Sequence, residues 1–142
     1  MSSGVSVDAI HEVKTIMNAT DTEHAAFLLR ANIERVLNER DEARRLKALS
    51  ELWADDAVMF EADEVFSGQK AISDNVGALL ARLPAGTLFR PASAPVVNHE
   101  AALLRWTAGS DPAKPAVTGT DLAFIENGRI RKLYVFLDPR NT

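Results

Sequence analysis

The sequence predicts an α+β fold, with helices packed on one face of a curved antiparallel sheet. Apolar residues recur at helical spacing up to residue 83, whereas the remainder of the chain has the composition and alternation of strands. The last third contains two strand-like runs, 117–126 and 129–137, on either side of Asn127-Gly128. An Asn-Gly pair readily takes the positive φ angles of a tight turn, so this segment predicts a β-hairpin.

Helical periodicity and capping residues place the helices in the first part of the chain. Thr20-Asp21-Thr22-Glu23 predicts a capping box, in which a Thr stands three residues ahead of a Glu, and an amphipathic helix follows it. Asp41 is the predicted N-cap of the next helix. The predicted helices cover residues 7–19, 22–38, 42–54 and 67–83.

Strands are predicted between and after these helices. Ala57–Glu61 is a short strand that precedes the last helix, and 62–68 is a turn or a brief second strand. The other predicted strands are 87–92, 94–99, 100–108, 117–126 and 129–137. No repeat, low-complexity segment or linker interrupts the chain, so residues 1–142 are predicted to form a single domain with an N-terminal extension at 1–20.

Composition excludes several classes of function. The net charge of −4 gives no support to nucleic-acid binding, which needs clustered Lys and Arg. No apolar run approaches the ~20 residues of a membrane span, and the N-terminus lacks the pattern of a signal peptide, so we expect a cytoplasmic protein. The chain has no Cys and no His pair at ligand spacing, so neither a metal nor another cofactor is expected.

Asp121 is the one acid in the first arm of the predicted hairpin. It precedes the apolar run 122–125, and a carboxylate inside a strand is unfavourable unless another group pairs with it or uses it. In an apolar pocket its pKa would be raised, as proton transfer requires. The alternative is an ion pair across the sheet with Arg105 or Arg131.

Five segments of the chain form a recognisable series, which is Leu52–Glu61, Gly68-x-x-Ala-Ile72, Gly119-x-Asp121, Asn127–Ile130 and Tyr134–Asp138. Taken in order, they resemble the SnoaL-like branch of the nuclear transport factor 2-like superfamily, which includes ketosteroid isomerases, polyketide cyclases and limonene-epoxide hydrolases. The resemblance spans residues 22–138. It implies a cystatin-like cone, in which three or four helices fill the open side of a strongly curved mixed or antiparallel sheet and leave an apolar pocket for a small hydrophobic molecule. It also implies a homodimer formed through the outer sheet face.

The resemblance implies cofactor-free acid/base chemistry by two carboxylates. Asp121 corresponds to a strand acid of the isomerases and cyclases, and Glu61 to the catalytic base of the isomerases, with Glu in place of Asp. Glu61 has an alternative interpretation as an exposed acid in an acidic loop. The region around Ile33 contains no Tyr, although the isomerases carry their main oxyanion donor there, so steroid isomerisation is not expected.

The predicted site also includes aromatic and basic residues. Strand alternation places Tyr134 and Phe136 on one face of the last strand, and we expect that face, with Trp106 beside it, to line the pocket. His99 is either a proton relay or simply exposed. The predicted catalytic residues are Asp121 and Glu61, and the predicted ligand-binding residues are Trp53, Phe60, His99, Arg105, Trp106, Tyr134 and Phe136.

Three functions are compatible with this site. The first is an isomerase, cyclase or dehydratase acting on a carbonyl compound. The second is a non-catalytic module that binds a ligand or another copy of the chain. The third is an epoxide hydrolase, to which Arg105 and Asp121 would contribute two of the three groups required.

Overall fold

Helices form the first part of the computed structural model, which describes residues 21–139. We call residues 21–37 helix α1, of which 21–32 are α-helical and Ile33–Leu37 form a π-helical turn. Helix α2 is Glu42–Leu52, and helix α3 is Gln69–Arg82. The predictions of helices at 22–38, 42–54 and 67–83 are therefore confirmed. The predicted helix at 7–19 and the Thr20 cap lie outside the described residues.

Seven strands form one mixed sheet within the described part of the chain. Their order across the sheet is β2-β1-β7-β6-β5-β3, and β4 pairs with β5. The β1–β7 pair is parallel and the other pairs are antiparallel. The strands are β1 Trp53–Phe60, β2 Val65–Ser67, β3 Leu88–Pro91, β4 Val96–Asn98, β5 Ala101–Gly109, β6 Val117–Glu126 and β7 Arg129–Leu137.

The α2–β1 junction is tighter than the sequence predicts. Residues 53–56 were expected to complete a helix and leave it, but Trp53 is already extended, with φ −113° and ψ 152°. Its backbone N–H still caps the helix by bonding to the Leu49 carbonyl, so one residue ends α2 and begins β1. Pairing with β7 shifts register between Trp53 and Val58, which accommodates this abrupt change of conformation.

The β6–β7 hairpin has the predicted turn. Asn127 and Gly128 have φ angles of 53° and 77°, and Glu126 pairs with Arg129 across a two-residue loop. A second two-residue loop joins β4 to β5, and His99 takes a positive φ of 53° there. Both loops use residue types that tolerate the left-handed region.

The sheet has an inner face covered by the helices and an outer face turned away from them. Register places side chains of β1, β5, β6 and β7 on the inner face, where they are almost completely buried together with residues of α1 and α3. No described helix is both long and apolar enough to cross a membrane. The inner-face residues include Met59, Ala102, Leu104, Trp106, Ala123 and Leu133.

Asn38, directly after α1, fastens the edge strand β3 to the helices. Its side-chain Nδ2 donates to the Phe89 carbonyl at 2.9 Å, and the Phe89 backbone N–H donates to Asn38 Oδ1 at 2.8 Å. The amide therefore pairs with both backbone groups of one residue in an edge strand. This pair fixes Phe89 beneath the end of α1.

Arg45 joins α2 to α3 through neutral acceptors. Its side chain is buried, Nε donates to Ser73 Oγ at 2.9 Å, and Nη1 donates to the Glu39 carbonyl at 2.8 Å. Gly77 leaves room for the guanidinium, because a Cβ at that position would lie 2.8 Å from Arg45 Nη2. The helix pair thus depends on a buried cation that donates both to α3 and to the segment before α2.

We expect Arg45→Met to lower the free energy of unfolding by about 1–3 kcal/mol, because Ser73 and the Glu39 carbonyl lose their donor. Urea unfolding followed by circular dichroism measures this loss. Arg44→Met is the matched control, since Arg44 lies next to Arg45 on α2 but is exposed. Equal stability of the two variants would contradict a structural role for Arg45.

Candidate functional site

A cavity of about 700 Å³ lies between the helices and the inner face of the sheet. Its wall is mainly aliphatic and aromatic, with contributions from α1, α3 and strands β1, β3, β5, β6 and β7. Ligand sites in proteins have this character, an apolar enclosure with a few placed polar groups. The polar and charged residues that line it include Asn32, Glu61, Asn75, Arg82, Thr87 and Asp121.

Asp121 lies at the centre of the sheet on the inner face. It pairs with Leu104 on one side and Val135 on the other, and only 5% of the residue is exposed. Trp106 Nε1 donates to Asp121 Oδ1 at 2.9 Å. Burial raises the pKa of Asp121 to about 7, and the Trp106 hydrogen bond opposes that rise because it favours the carboxylate.

Gly119 explains how Trp106 reaches Asp121. A Cβ at residue 119 would lie 2.5 Å from Trp106 Cζ2, so only glycine leaves space for the indole above the strand. Gly119 pairs with Trp106 across β5 and β6, and Asp121 follows two residues later on the same face. The Gly119-x-Asp121 spacing therefore holds a tryptophan and the carboxyl group that accepts its N–H.

The alternative of an ion pair for Asp121 does not occur in the structure. Arg105 pairs with Thr120, which places its side chain on the outer face of the sheet, away from Asp121. Arg131 forms ion pairs with Asp56 at 3.2 Å and with Glu126 at 3.9 Å. Within the described residues, Trp106 is the one hydrogen-bond partner recorded for the Asp121 side chain.

Glu61 borders the same cavity, directly after β1. It continues the alternation of Ala57 and Met59, both buried on the inner face. Asn75 of α3 donates its Nδ2 hydrogen to Glu61 Oε2 at 2.9 Å, and the Glu61 backbone N–H donates to the Glu64 carbonyl at 2.9 Å. The two predicted catalytic carboxyl groups, Asp121 and Glu61, thus line one cavity, which Asp63 also borders.

Asn32 is a site residue that the sequence reasoning missed. It is 1% exposed, lines the cavity and accepts a hydrogen bond at Oδ1 from Trp53 Nε1 at 2.8 Å. The predicted ligand-binding residue Trp53 lies behind Asn32, fully buried, and does not line the cavity itself. One signal was available, since Asn is a poor residue for a helix interior unless its side chain is used.

Comparison with known proteins identifies the family to which the chain belongs. The profile of the SnoaL-like domain matches residues 29–133, which is most of the chain. The chain belongs to the SnoaL-like domain family. Among curated proteins, none matches it.

Several solved structures share this fold with the SnoaL-like protein described above. A candidate isomerase of the SnoaL-like family from Agrobacterium tumefaciens is 24% identical, with a TM-score of 0.73 over 82% of this chain and 98% of its own. A candidate polyketide cyclase from Sinorhizobium meliloti is 28% identical, with a TM-score of 0.58 over 76% and 92%. A candidate ketosteroid isomerase from Kribbella flavida is 14% identical, with a TM-score of 0.63 over 82% and 78%. The predicted family and cone-like α+β fold are therefore confirmed.

The faces of β7 are the reverse of the prediction. Phe60, Tyr134 and Phe136 border the cavity, but Asp121 pairs with Val135, so the inner face carries Val135. Tyr134 shares the outer face with Phe60, on which it stacks at a centroid distance of 4.4 Å, and it meets Phe124 edge-on at 6.0 Å. Trp106 is the predicted aromatic residue whose side chain contacts a catalytic candidate.

Two predicted ligand-binding residues lie away from the cavity. His99 is exposed at the tip of the β4–β5 loop. Arg105 instead borders a separate depression of about 520 Å³, together with Thr107, Thr118 and Asp138. Within residues 21–139, no group of three or more His, Cys, Asp or Glu has the arrangement of a metal site.

The raised pKa of Asp121 predicts a pH-dependent stability. The native carboxyl holds its proton up to about pH 7, whereas the unfolded one loses it near its ordinary pKa of 3.8. Asp121 therefore lowers the free energy of unfolding as pH rises from about 4 to about 7, by up to about 1.4 kcal/mol per pH unit. We expect Asp121→Asn to remove this slope and to be more stable than the wild type above pH 7.

Urea unfolding at a series of pH values measures this difference. Asp55→Asn is the control, because Asp55 is exposed on β1, and its curve should run parallel to that of the wild type. A slope in Asp121→Asn equal to that of the wild type would show that Asp121 has an ordinary pKa in the native state.

Proposed function

We propose that this SnoaL-like protein binds a small, mainly apolar carbonyl compound in its cavity and that Asp121 transfers a proton to or from it without a cofactor. The observation that supports this most directly is a buried carboxyl group in the wall of an apolar cavity, to which, within residues 21–139, one neutral donor and no cation is bonded. Such a group serves proton transfer better than it serves stability, because burying it costs free energy.

The pKa of about 7 suits both directions of proton transfer at neutral pH. As a carboxylate, Asp121 removes a proton from the carbon next to the carbonyl group, and the electrons of the broken C–H bond form an enolate. As a carboxylic acid, it returns that proton to the same or another carbon. Isomerases, and some cyclases and dehydratases, depend on this step.

Glu61 is the proposed second carboxylate. It borders the same cavity from the end of β1, and Asn75 holds one of its oxygens, which leaves Oε1 for a ligand or a second proton transfer. An acid and a base that approach one compound from different walls allow a proton to leave one carbon and arrive at another.

Non-catalytic ligand binding is the second candidate. The observation that favours it is the kind of donor that α1 contributes to the cavity wall. Asn32 is the donor available to an enolate oxygen, and no Tyr lies in the described helix. An amide stabilises developing negative charge less than a phenol does. Epoxide hydrolysis is less well supported, because Arg105 lies on the opposite sheet face from Asp121.

Deuterium exchange at the α-carbon of 2-tetralone tests proton transfer without knowledge of the natural substrate. In D₂O we expect the wild type to accelerate exchange, with a rate that rises with pH up to about 7 as Asp121 ionises. We expect the exchange rate of Asp121→Asn to be about 10²–10⁴-fold lower than that of the wild type. Proton NMR follows the disappearing signal. The control Asp55→Asn should keep the wild-type rate.

Two results would count against this function. An unchanged exchange rate in Asp121→Asn would remove Asp121 from the chemistry. Binding of 2-tetralone by the wild type with no exchange at any pH would favour the non-catalytic candidate.

We also propose that two copies of the chain associate through the outer sheet face. Phe60, Phe124 and Tyr134 form an aromatic cluster there, and Phe136 on the same face of β7 is 54% exposed. An exposed apolar patch of this kind is typical of an interface.

We expect light scattering to give twice the mass of one chain for the wild type and the mass of one chain for Phe136→Lys. Leu88→Lys is the control, because Leu88 is also exposed but lies on the edge strand β3. A wild-type protein that is monomeric at micromolar concentration would contradict the proposed interface.

A further inference from the structure

We propose that Asn32 is a ligand-binding residue, that its Nδ2 hydrogen bonds to a carbonyl oxygen of the ligand, and that Trp53 fixes the amide in the orientation required. The inference rests on the binding part of the proposed function and is independent of catalysis. It assigns a specific donor and a specific ligand atom to a residue that composition and spacing did not single out.

The position of Asn32 is unusual for its residue type. It is the last α-helical residue of α1 before the π-helical turn Ile33–Leu37, and it is 99% buried. Asn in a helix interior is unfavourable, and a π-helical turn is also locally unfavourable and often occurs at functional sites. Asn32, Ile33 and Leu37 all line the cavity, so both irregularities lie at its wall.

The orientation of the Asn32 amide is fixed by chemistry. An indole N–H only donates, so the atom of Asn32 that lies 2.8 Å from Trp53 Nε1 must be the oxygen. Trp53 is fully buried behind the wall, whereas Asn32 forms part of it. The oxygen of the planar amide therefore points away from the cavity, and Nδ2 is on the side of the amide that faces the cavity.

Nδ2 is available for a ligand. Among the hydrogen bonds recorded within residues 21–139, Asn32 uses its side-chain oxygen and none involves its side-chain nitrogen. Among the described residues, Arg131 Nε is the buried side-chain polar atom that lacks a partner, so Asn32 Nδ2 is accessible from the cavity that Asn32 lines. An acceptor atom of a bound compound can hydrogen-bond to this donor, so this position selects for an oxygen at one point of the ligand.

The charges around the cavity indicate which kind of oxygen. Of the charged residues that line it, Glu61, Asp63 and Asp121 are acids and Arg82 is the one base, and Arg82 is exposed. A carboxylate or phosphate would meet net negative charge here. A neutral carbonyl oxygen accepts from an amide N–H without that repulsion, so the ligand class is a neutral ketone, aldehyde, ester or lactone.

A pair of matched probes tests this assignment. 2-Acetylnaphthalene carries a carbonyl group, and 2-ethylnaphthalene has a similar shape without an acceptor. We expect Asn32→Leu to raise the Kd for the ketone roughly tenfold, the effect of one lost hydrogen bond, and to change the Kd for the hydrocarbon less than twofold. Fluorescence titration measures both.

The carbonyl ¹³C chemical shift of labelled 2-acetylnaphthalene reports the hydrogen bond itself. We expect the bound signal to move upfield in Asn32→Leu and part of the way in Trp53→Phe, which keeps the amide but removes the group that orients it. A purely structural role of either residue would leave this shift unchanged. Asn32→Leu/Trp53→Phe removes both polar partners together and serves as the ligand-binding variant if Asn32→Leu does not fold.

The outcomes separate this inference from the proposed function. Equal weakening of ketone and hydrocarbon in the folded variant, or an unchanged ketone Kd and ¹³C shift, would overturn it even if Asp121→Asn abolishes exchange of 2-tetralone. Ketone-specific loss together with absent exchange would support Asn32 as a binding residue and leave catalysis unsupported.

Discussion

Burial of a carboxyl group in the middle of the sheet is the constraint on which the site depends. Asp121 has neighbours on both sides and, within the described residues, a single donor in Trp106. A cation in that place would have held the group ionised, whereas an indole N–H opposes the effect of burial only in part. The protein therefore keeps a carboxyl group that costs stability at neutral pH and whose proton is exchangeable there.

A chain of contacts connects this carboxyl group to the helices. Gly119 leaves space for the indole of Trp106, and the ring of Phe89 packs against that indole at 5.3 Å. The backbone N–H and the carbonyl of Phe89 in turn both hydrogen-bond to the side chain of Asn38, directly after α1. A disturbance at any of these positions would be expected to move Trp106 and so alter the environment of Asp121. The end of α1 and the catalytic candidate are parts of one packed unit.

Local signals in the sequence predicted the order of helices and strands and pointed to Asp121, whereas the cone-like fold and Glu61 came from the family resemblance, and neither source gave the whole site. Asn127-Gly128 identified its hairpin, and Asp121 was conspicuous as an acid in an apolar strand. The inward face of β7 was not predictable, because both faces of that strand are apolar and alternation alone does not say which one meets the helices. Asn32 becomes significant only through Trp53, which lies 21 residues further along the chain.

Two asparagines in the cavity wall use opposite ends of their amide groups in hydrogen bonds within the protein. Trp53 can only donate, so Asn32 turns its oxygen to Trp53 and its N–H₂ group to the cavity. On α3, Asn75 directs its N–H₂ group to Glu61 Oε2, which leaves its own oxygen as the remaining polar atom. Asn32 on α1 and Asn75 on α3 thus contribute two amide groups to the cavity wall, and Asp121 contributes a carboxyl group from the sheet. A compound whose carbonyl oxygen bonds to Asn32 Nδ2 would be held at that end. Its orientation would then determine which carbon atom Asp121 can reach.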